Sequence, residues 1–353
     1  MRCPECERIE SLTYEKNNLY FHFPTENTRS KFAIFLGTYE YNYETKDNAI
    51  QVYLEQGSME TFLLRATEAL KENELKHTKV MILDAETGKD KIDATDFHRI
   101  IFLSELRAYM ESGWLIDILE ERRFISHFQP IFDKDGKSVF AHEALFRAMS
   151  SKGEIIPPDQ VFGLAIDANL LFQLDLAARC SAVDCASEQG LGGSKLFINF
   201  NPSSIYDPSY CLKETTEYIS KIGLKPEDIV FEVVESHAIE NSSHLRGILT
   251  FYRKAGFDVA LDDVGSGYSS LNLMRDLKPS YIKIDMELIR DVHQDDYRQN
   301  IVRNLINMAH SNQGKIICEG VESEQEMNWL VDHDADYIQG FYLGRPAEKL
   351  VKI

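Results

Sequence analysis

No run of the 353 residues approaches the ~18 apolar positions that a membrane-spanning helix needs. The start MRCPECERIE also has no apolar signal-peptide core, so a cytoplasmic chain without membrane attachment is expected. Positive charge is short as well: 38 Lys and Arg stand against 57 Asp and Glu, a formal net charge of -19. That balance excludes sequence-independent binding of polymeric nucleic acid, which needs a cationic surface to displace counterions from phosphate. Cysteine is sparse, with six in the chain (Cys3, Cys6, Cys180, Cys185, Cys211, Cys318). So few do not make a disulfide framework, and the expected compartment keeps them reduced, as buried small hydrophobes. Cys3 and Cys6 form a Cys-x-x-Cys pair, half of a structural zinc site, but no second pair follows. Zinc closed by a histidine such as His22, a redox pair and inert thiols all stay open.

What is present suits a soluble globular protein, with 44% hydrophobic and 27% charged residues. Residues 1–92 read as an α+β module. NLYFHF, KFAIFLG and AIQVYLE are its β-rich segments, METFLLRATEALKE is helical and KVMILD is a further short apolar run. A connecting helix is expected over 93–112, from about Asp93 to Met110, with Asp93 or Thr95 as its cap. Its apolar positions Phe97, Ile100, Ile101, Leu103 and Leu106 suit core packing or signal transmission. From 113 to 353 short apolar strands alternate with amphipathic stretches: FISHFQPIFD, VFAHEALFR, KLFINFN, DIVFEVVE, DVALDD, YIKID, KIICEG and DYIQG. Eight such strands in about 240 residues predict an α/β fold, a TIM-like (β/α)8 barrel.

In such barrels the active site lies at the C-terminal strand ends. Read in order, those ends carry Glu143, Asn199, Glu232 with Glu235, Asp262 with Asp263, Lys283 with Asp285, Glu319 and Gln339. Taken singly, each is a helix cap or turn former. Together they converge on one mouth, where unpaired carboxylates repel unless cations lie between them. Hard oxygen donors with almost no His or Cys point to Mg²⁺ or Mn²⁺. The adjacent Asp262 and Asp263 suggest two ions ~4 Å apart, one carboxylate bridging them, as in phosphodiester hydrolysis. Lys283 either orients water and offsets phosphate charge or simply pairs with Asp285 or Glu319. The Gly-Ser-Gly after the aspartates is too short for a P-loop and lacks the following Gly-Lys-Ser/Thr, so it reads as a mobile lid.

The segments HFQPIFD, HEALFR, INFNP, FEVVES, LDDVGSGYSSL, YIKID, CEGVES and IQGFYLGRP, in this order, resemble the EAL family of cyclic di-GMP phosphodiesterases. The resemblance spans about residues 113–350 and implies a barrel whose first strand is antiparallel. It implies that Glu143, Asn199, Glu232 and Asp262 ligate a first metal, that Asp262 and Asp263 serve a second, and that Lys283 and Glu319 hold or activate water. Glu235 would anchor the lid containing Gly265, Ser266 and Gly267. Gln129, Leu145, Arg147 and Gln339 match dinucleotide-contacting positions, Arg147 as a forked donor to phosphate. The implied reaction converts cyclic di-GMP to linear pGpG, in a homodimer formed through the barrel and under regulation by the N-terminal domain. A non-catalytic cyclic di-GMP receptor is the alternative, although such receptors usually lack several of these ligands. Two departures stand out: Ala148 and Met149 replace a Trp that often follows the Arg, and Val264 stands where Phe is usual. Residues 1–92 resemble no recognised sensor family.

Overall fold

A computed structural model describes residues 18–55, 57–83, 100–205, 216–234, 242–265 and 270–352. They fall into two compact units: one of residues 121–158 and 172 onward, the other of residues up to 120 together with 159–171.

The smaller unit runs β1 (Asn18–His22), α1 (Glu26–Thr38), β2 (Asn42–Lys46), β3 (Ala49–Tyr53), α2 (Met59–Glu68), α3 (Glu72–Leu75), β4 (Lys79–Leu83), β5 (Ile100–Phe102), α4 (Leu103–Glu111), α5 (Gly113–Glu121) and, later in the chain, α6 (Pro158–Asp167). Its antiparallel sheet has the order β2-β3-β1-β4-β5. The first four strands with α1 and α2 make a split βαββαβ arrangement of the ferredoxin-like kind. KFAIFLG, read as strand from its β-forming residues, lies instead inside α1. Thr25 caps that helix by accepting from the Thr28 N–H at 3.2 Å. Phe32, Phe35 and Leu36 are buried at helical spacing, and that packing overrides β propensity. The expected helix from about Asp93 begins only at Leu103. Residues 93–99 lie outside the described residues, and Ile100–Phe102 pairs with β4 as an edge strand. Leu103 and Leu106 belong to the unit's hydrophobic core.

The larger unit contains β6 (Phe124–Asp133), β7 (Val139–Met149), the short β8 (Ile155–Ile156), α7 (Leu171–Gln189), β9 (Lys195–Asn199), β10 (Ile229–Val234), β11 (Asp258–Val264), β12 (Tyr281–Ile284), β13 (Lys315–Cys318) and β14 (Tyr337–Ile338). The sheet order β6-β14-β13-β12-β11-β10-β9-β7, with β6 also paired to β7, closes an eight-stranded barrel. β6 is antiparallel to both neighbours and the other barrel strands pair in parallel. The antiparallel first strand is thus observed.

Successive side chains on a strand face opposite sides, which sorts the barrel into layers. Leu196, Ile198, Phe231, Val233, Leu261, Ile282, Ile284, Ile316 and Ile338 point outward into the core beneath the helices. Ile131, Ala141, Phe197, Val230, Ala260, Tyr281 and Ile317, with Tyr337 against them, fill the interior. Each interior residue lies two positions from a polar residue, so the next layer toward the mouth is polar by construction. Cys318 is buried, Cys180 and Cys185 are half-buried, and all three are free thiols. The other three cysteines fall outside the described residues. No described helix is long and apolar enough to cross a membrane.

Candidate active site

Two residues beyond the apolar floor stand Gln129, Glu143, Asn199, Glu232, Asp262, Lys283, Glu319 and Gln339, one from each strand or strand end. Lys283 is their hub. Its side chain is 1% exposed, and its Nζ lies 2.6 Å from Glu319 Oε1, 2.9 Å from Glu232 Oε1, 3.2 Å from Asp262 Oδ1 and 3.3 Å from Glu143 Oε2. The ion pair with Asp285 or Glu319 expected as one alternative is present to Glu319, as one part of this four-way contact. Burial by itself pulls the Lys283 pKa down, but the carboxylates around it hold the ammonium protonated, well above the ordinary lysine range. Lys283 is therefore the shared counter-charge of the four carboxylates.

The carboxyls sit under opposing pressure. Burial drives Glu232 and Glu319 well above the usual carboxylate range; Lys283 opposes this, and neighbouring carboxylates add to it. Asp262 is raised for the same first reason. Asp263 is pushed up to about 6 by burial and then by the charge of Asp262. Glu143 is bracketed by amides: Asn199 Nδ2 donates to Oε1 at 3.1 Å and Gln339 Nε2 to Oε2 at 2.7 Å. Gln339, read as a substrate contact, thus also positions Glu143, and its own Oε1 is buried without a hydrogen-bond partner.

Adjacent residues of a regular strand cannot share a site, yet Asp262 and Asp263 do. Pairing between β11 and β12 shifts register between Leu261 and Val264, and Asp263 adopts φ 56°. A bulge re-aims a side chain in this way, and aspartate tolerates the left-handed region better than most residues. The outcome is two overlapping oxygen clusters, Glu143–Glu232–Asp262 and Asp262–Asp263–Glu319, each with ligand atoms within 4.8 Å of one another. The following Gly265 sits at φ +109°, and a Cβ there would meet Leu288 Cδ1 at 2.2 Å. Ser266, Gly267 and Glu235 lie outside the described residues, so the lid and its anchor are not placed. Val264 is fully buried in the strand–helix core and pairs with Ile284. Its departure from Phe is therefore a packing change behind the site.

The residues fit a hard divalent cation. Every donor is oxygen. Glu232 is 0% exposed; the Lys283 Nζ lies 2.9 Å from its Oε1, and its Oε2 has no hydrogen-bond partner. A fully buried carboxylate oxygen left this way is costly, and a second cation beside the shared ammonium offsets that cost.

Gln129 lies opposite Glu143 on β6, with its Nε2 on Gly344 O at 3.3 Å. Leu145 and Arg147 follow Glu143 on the same face of β7. Arg147 is half-buried and donates to Phe146 O at 2.8 Å, and burial lowers its pKa. Asp175 on α7 escapes sequence reading. Paired with buried Arg179 at 3.0 Å, it accepts from the Asn201 N–H at 2.8 Å and from Ser204 Oγ at 2.7 Å. It thus pins the loop that follows Asn199. Only the fold brings it there, across 26 residues of sequence.

Comparison with known proteins agrees with this architecture. A family model described as "EAL domain" matches residues 113–346. A c-di-GMP-bound "standalone versatile EAL protein" from Vibrio cholerae O395 is 35% identical with TM-score 0.60, covering 65% of this chain and 94% of that one. The "Cyclic di-GMP phosphodiesterase PdeF" of Escherichia coli (strain K12) is 26% identical over 65% of this chain and 30% of its own length. A manganese/cy-diGMP complex of Klebsiella pneumoniae BlrP1 covers 94% of this chain and 96% of that one at 22% identity and TM-score 0.58, a likeness of fold. The chain spans about a third of the length of the curated relatives it matches. Since the family pattern matches most of the chain and takes in the whole strand-end layer, the protein belongs to the EAL domain family.

Proposed function

We propose that the barrel is a metal-dependent phosphodiesterase that hydrolyses one 3',5' bond of cyclic di-GMP to linear pGpG. The carrying observation is the cluster of Glu143, Glu232, Asp262 and Glu319 around one buried ammonium, joined to Asp263. With all five carboxyls ionised, one lysine leaves four negative charges uncompensated, which two divalent ions neutralise. Mg²⁺ or Mn²⁺ held by Glu143, Asn199, Glu232, Asp262 and Asp263 would polarise the phosphodiester and ease water deprotonation. Glu319, charge-paired with Lys283, is the group assigned to orient the attacking water, and Lys283 fixes its carboxylate. Arg147 offers a forked donor to phosphate oxygen. Water adds to phosphorus, the P–O3' bond breaks, and the proton ends on the 3' oxygen. Regulation by the smaller unit and barrel pairing are part of the same proposal. Incubating purified protein with cyclic di-GMP and Mg²⁺ is expected to yield pGpG; intact substrate after long incubation refutes it.

The raised pKa values set a pH dependence. Glu232, Glu319 and Asp263 all titrate above ordinary carboxylates, so the metal-free folded state keeps protons that the unfolded chain releases near pH ~4. Their contribution to stability is full below that pH and is lost as pH rises through about 6 and beyond. Cations take the place of those protons. Thermal melts in EDTA and in Mg²⁺ are expected to show a larger Mg²⁺ increment at pH ~8 than at pH ~5.5. An increment independent of pH contradicts this.

A further inference from the structure

A side chain at a strand end is aimed by the backbone just beyond the ladder, so the segments that follow Lys283 and Glu319 bear on the site. The last bond between β12 and β13 runs from the Glu319 N–H to Ile284 O at 3.1 Å. Gly320 then turns at φ +66°, and the Val321 N–H donates to Gln339 O, just past β14, at 3.1 Å. Beyond Glu319 the chain has therefore left β12 for its other neighbour. What ties it back to the segment after Lys283 is Glu326, in the first turn of the helix Glu324–Asp332. Glu326 Oε2 accepts the Glu322 N–H at 2.9 Å and the Ser323 N–H at 3.0 Å, while Ser323 Oγ accepts the Glu326 N–H at 3.3 Å. That reciprocal pair is a capping box and uses one carboxylate oxygen. The other oxygen leaves the helix: Oε1 accepts the Asp291 N–H at 2.9 Å, 35 residues away in the segment after β12.

The surroundings suit a fixed link. Glu326 is 4% exposed; burial raises its pKa, but the N–H donors of Asp291, Glu322 and Ser323 outweigh burial and hold it below the ordinary carboxylate range. Asp291 stands at φ 55°, a conformation that persists in a non-glycine residue when its neighbours hold it. Met286, three residues past Lys283, packs where a Cβ on Gly320 would go, so the two segments also touch beside Glu319. Arg290 and Glu322 repeat the link at the surface, 2.6 Å apart, but both are nearly half exposed and such a pair is worth little. We propose that Glu326 is a positioning residue for hydrolysis: by holding Asp291 with one oxygen and its own helix cap with the other, it locks the segment after Lys283 to the segment after Glu319 and so sets the 2.6 Å contact between their side chains. The inference rests on the phosphodiesterase reading above.

Glu326→Gln separates the two jobs, since an amide keeps one carbonyl oxygen for the cap and turns an NH₂ toward the Asp291 N–H. In the intact chain with Mg²⁺ the variant is expected to lower kcat for cyclic di-GMP roughly tenfold to a hundredfold, with KM within about twofold. Its melting temperature in EDTA falls by about 5 °C or less. Hydrogen exchange in EDTA speeds up at Asp291 while Glu322 and Ser323 stay protected. Because Glu326 acts through Glu319, adding Glu326→Gln to Glu319→Gln lowers kcat by no more than about twofold further. Arg290→Gln, which removes only the exposed pair, leaves kcat within about twofold. Wild-type kcat in Glu326→Gln overturns the proposal, as do unchanged exchange at Asp291, faster exchange confined to the cap, a full multiplicative loss in the double variant, or an equal loss in Arg290→Gln. Wild type that leaves cyclic di-GMP intact overturns the phosphodiesterase reading itself and the positioning role with it, whatever the exchange at Asp291.

Discussion

Glu232→Gln is expected to cut turnover of cyclic di-GMP by about a thousandfold while raising the melting temperature of the metal-free protein at pH ~8. The two effects have one cause. Glu232 is fully buried, shares the one Lys283 ammonium with three other carboxylates, and faces Glu143 and Asp262 across the same small space. Burial holds its pKa well above the usual range, so keeping it charged at pH ~8 costs stability that a neutral isostere recovers. The amide keeps an oxygen for Lys283 and turns its N–H groups toward the carboxylates. The carboxylate charge that draws a cation is lost, at the upper end of what removing one oriented electrostatic group costs. Calorimetric Mn²⁺ titration, melts in EDTA and pGpG formation measure the three quantities. A variant that is less stable without metal and fully active places Glu232 in a purely structural role.

That charge conflict explains what the sequence made legible. Each barrel strand alternates, with an interior apolar residue such as Val230 or Ala260 two positions before Glu232 or Asp262. The period of two therefore exposes both the strand and the polar layer above it. The carboxylate layer was readable because acidic residues recur at the ends of several strands, each two positions past an interior apolar residue. Three features were not readable. The bulge at Asp262–Asp263 depends on pairing with β12, which one strand's letters do not encode. The amides of Asn199 and Gln339 meet on Glu143 only after closure brings residues 196 positions apart together. In the smaller unit, KFAIFLG is rich in β-formers yet turns helical, since Phe32, Phe35 and Leu36 reach the aromatic core around Phe21 and Phe62 only from a helix.

Lys283→Met is expected to lower the melting temperature of the metal-free protein by roughly 10 °C at pH ~8, and by much less at pH ~5.5. Methionine nearly matches the lysine stem in length, so the change removes charge more than volume. With the ammonium gone, Glu143, Glu232, Asp262 and Glu319 lose their shared counter-charge while remaining buried. Breaking a buried pair by removing one partner costs about 3–5 kcal/mol because the other charge stays uncompensated. At pH ~5.5 the carboxyls whose pKa values are already raised take up protons instead, which caps the loss. Mg²⁺ should restore much of the stability at pH ~8, and divalent binding should tighten, since no fixed cation then competes for the same oxygens. Turnover is nevertheless expected to stay low, because Glu319 loses the ammonium 2.6 Å away that fixes its carboxylate. Melts across pH with EDTA or Mg²⁺, alongside calorimetric titration, separate these effects. Equal stability of variant and wild type in EDTA at pH ~8 shows that Lys283 is not the counter-ion of the empty cluster.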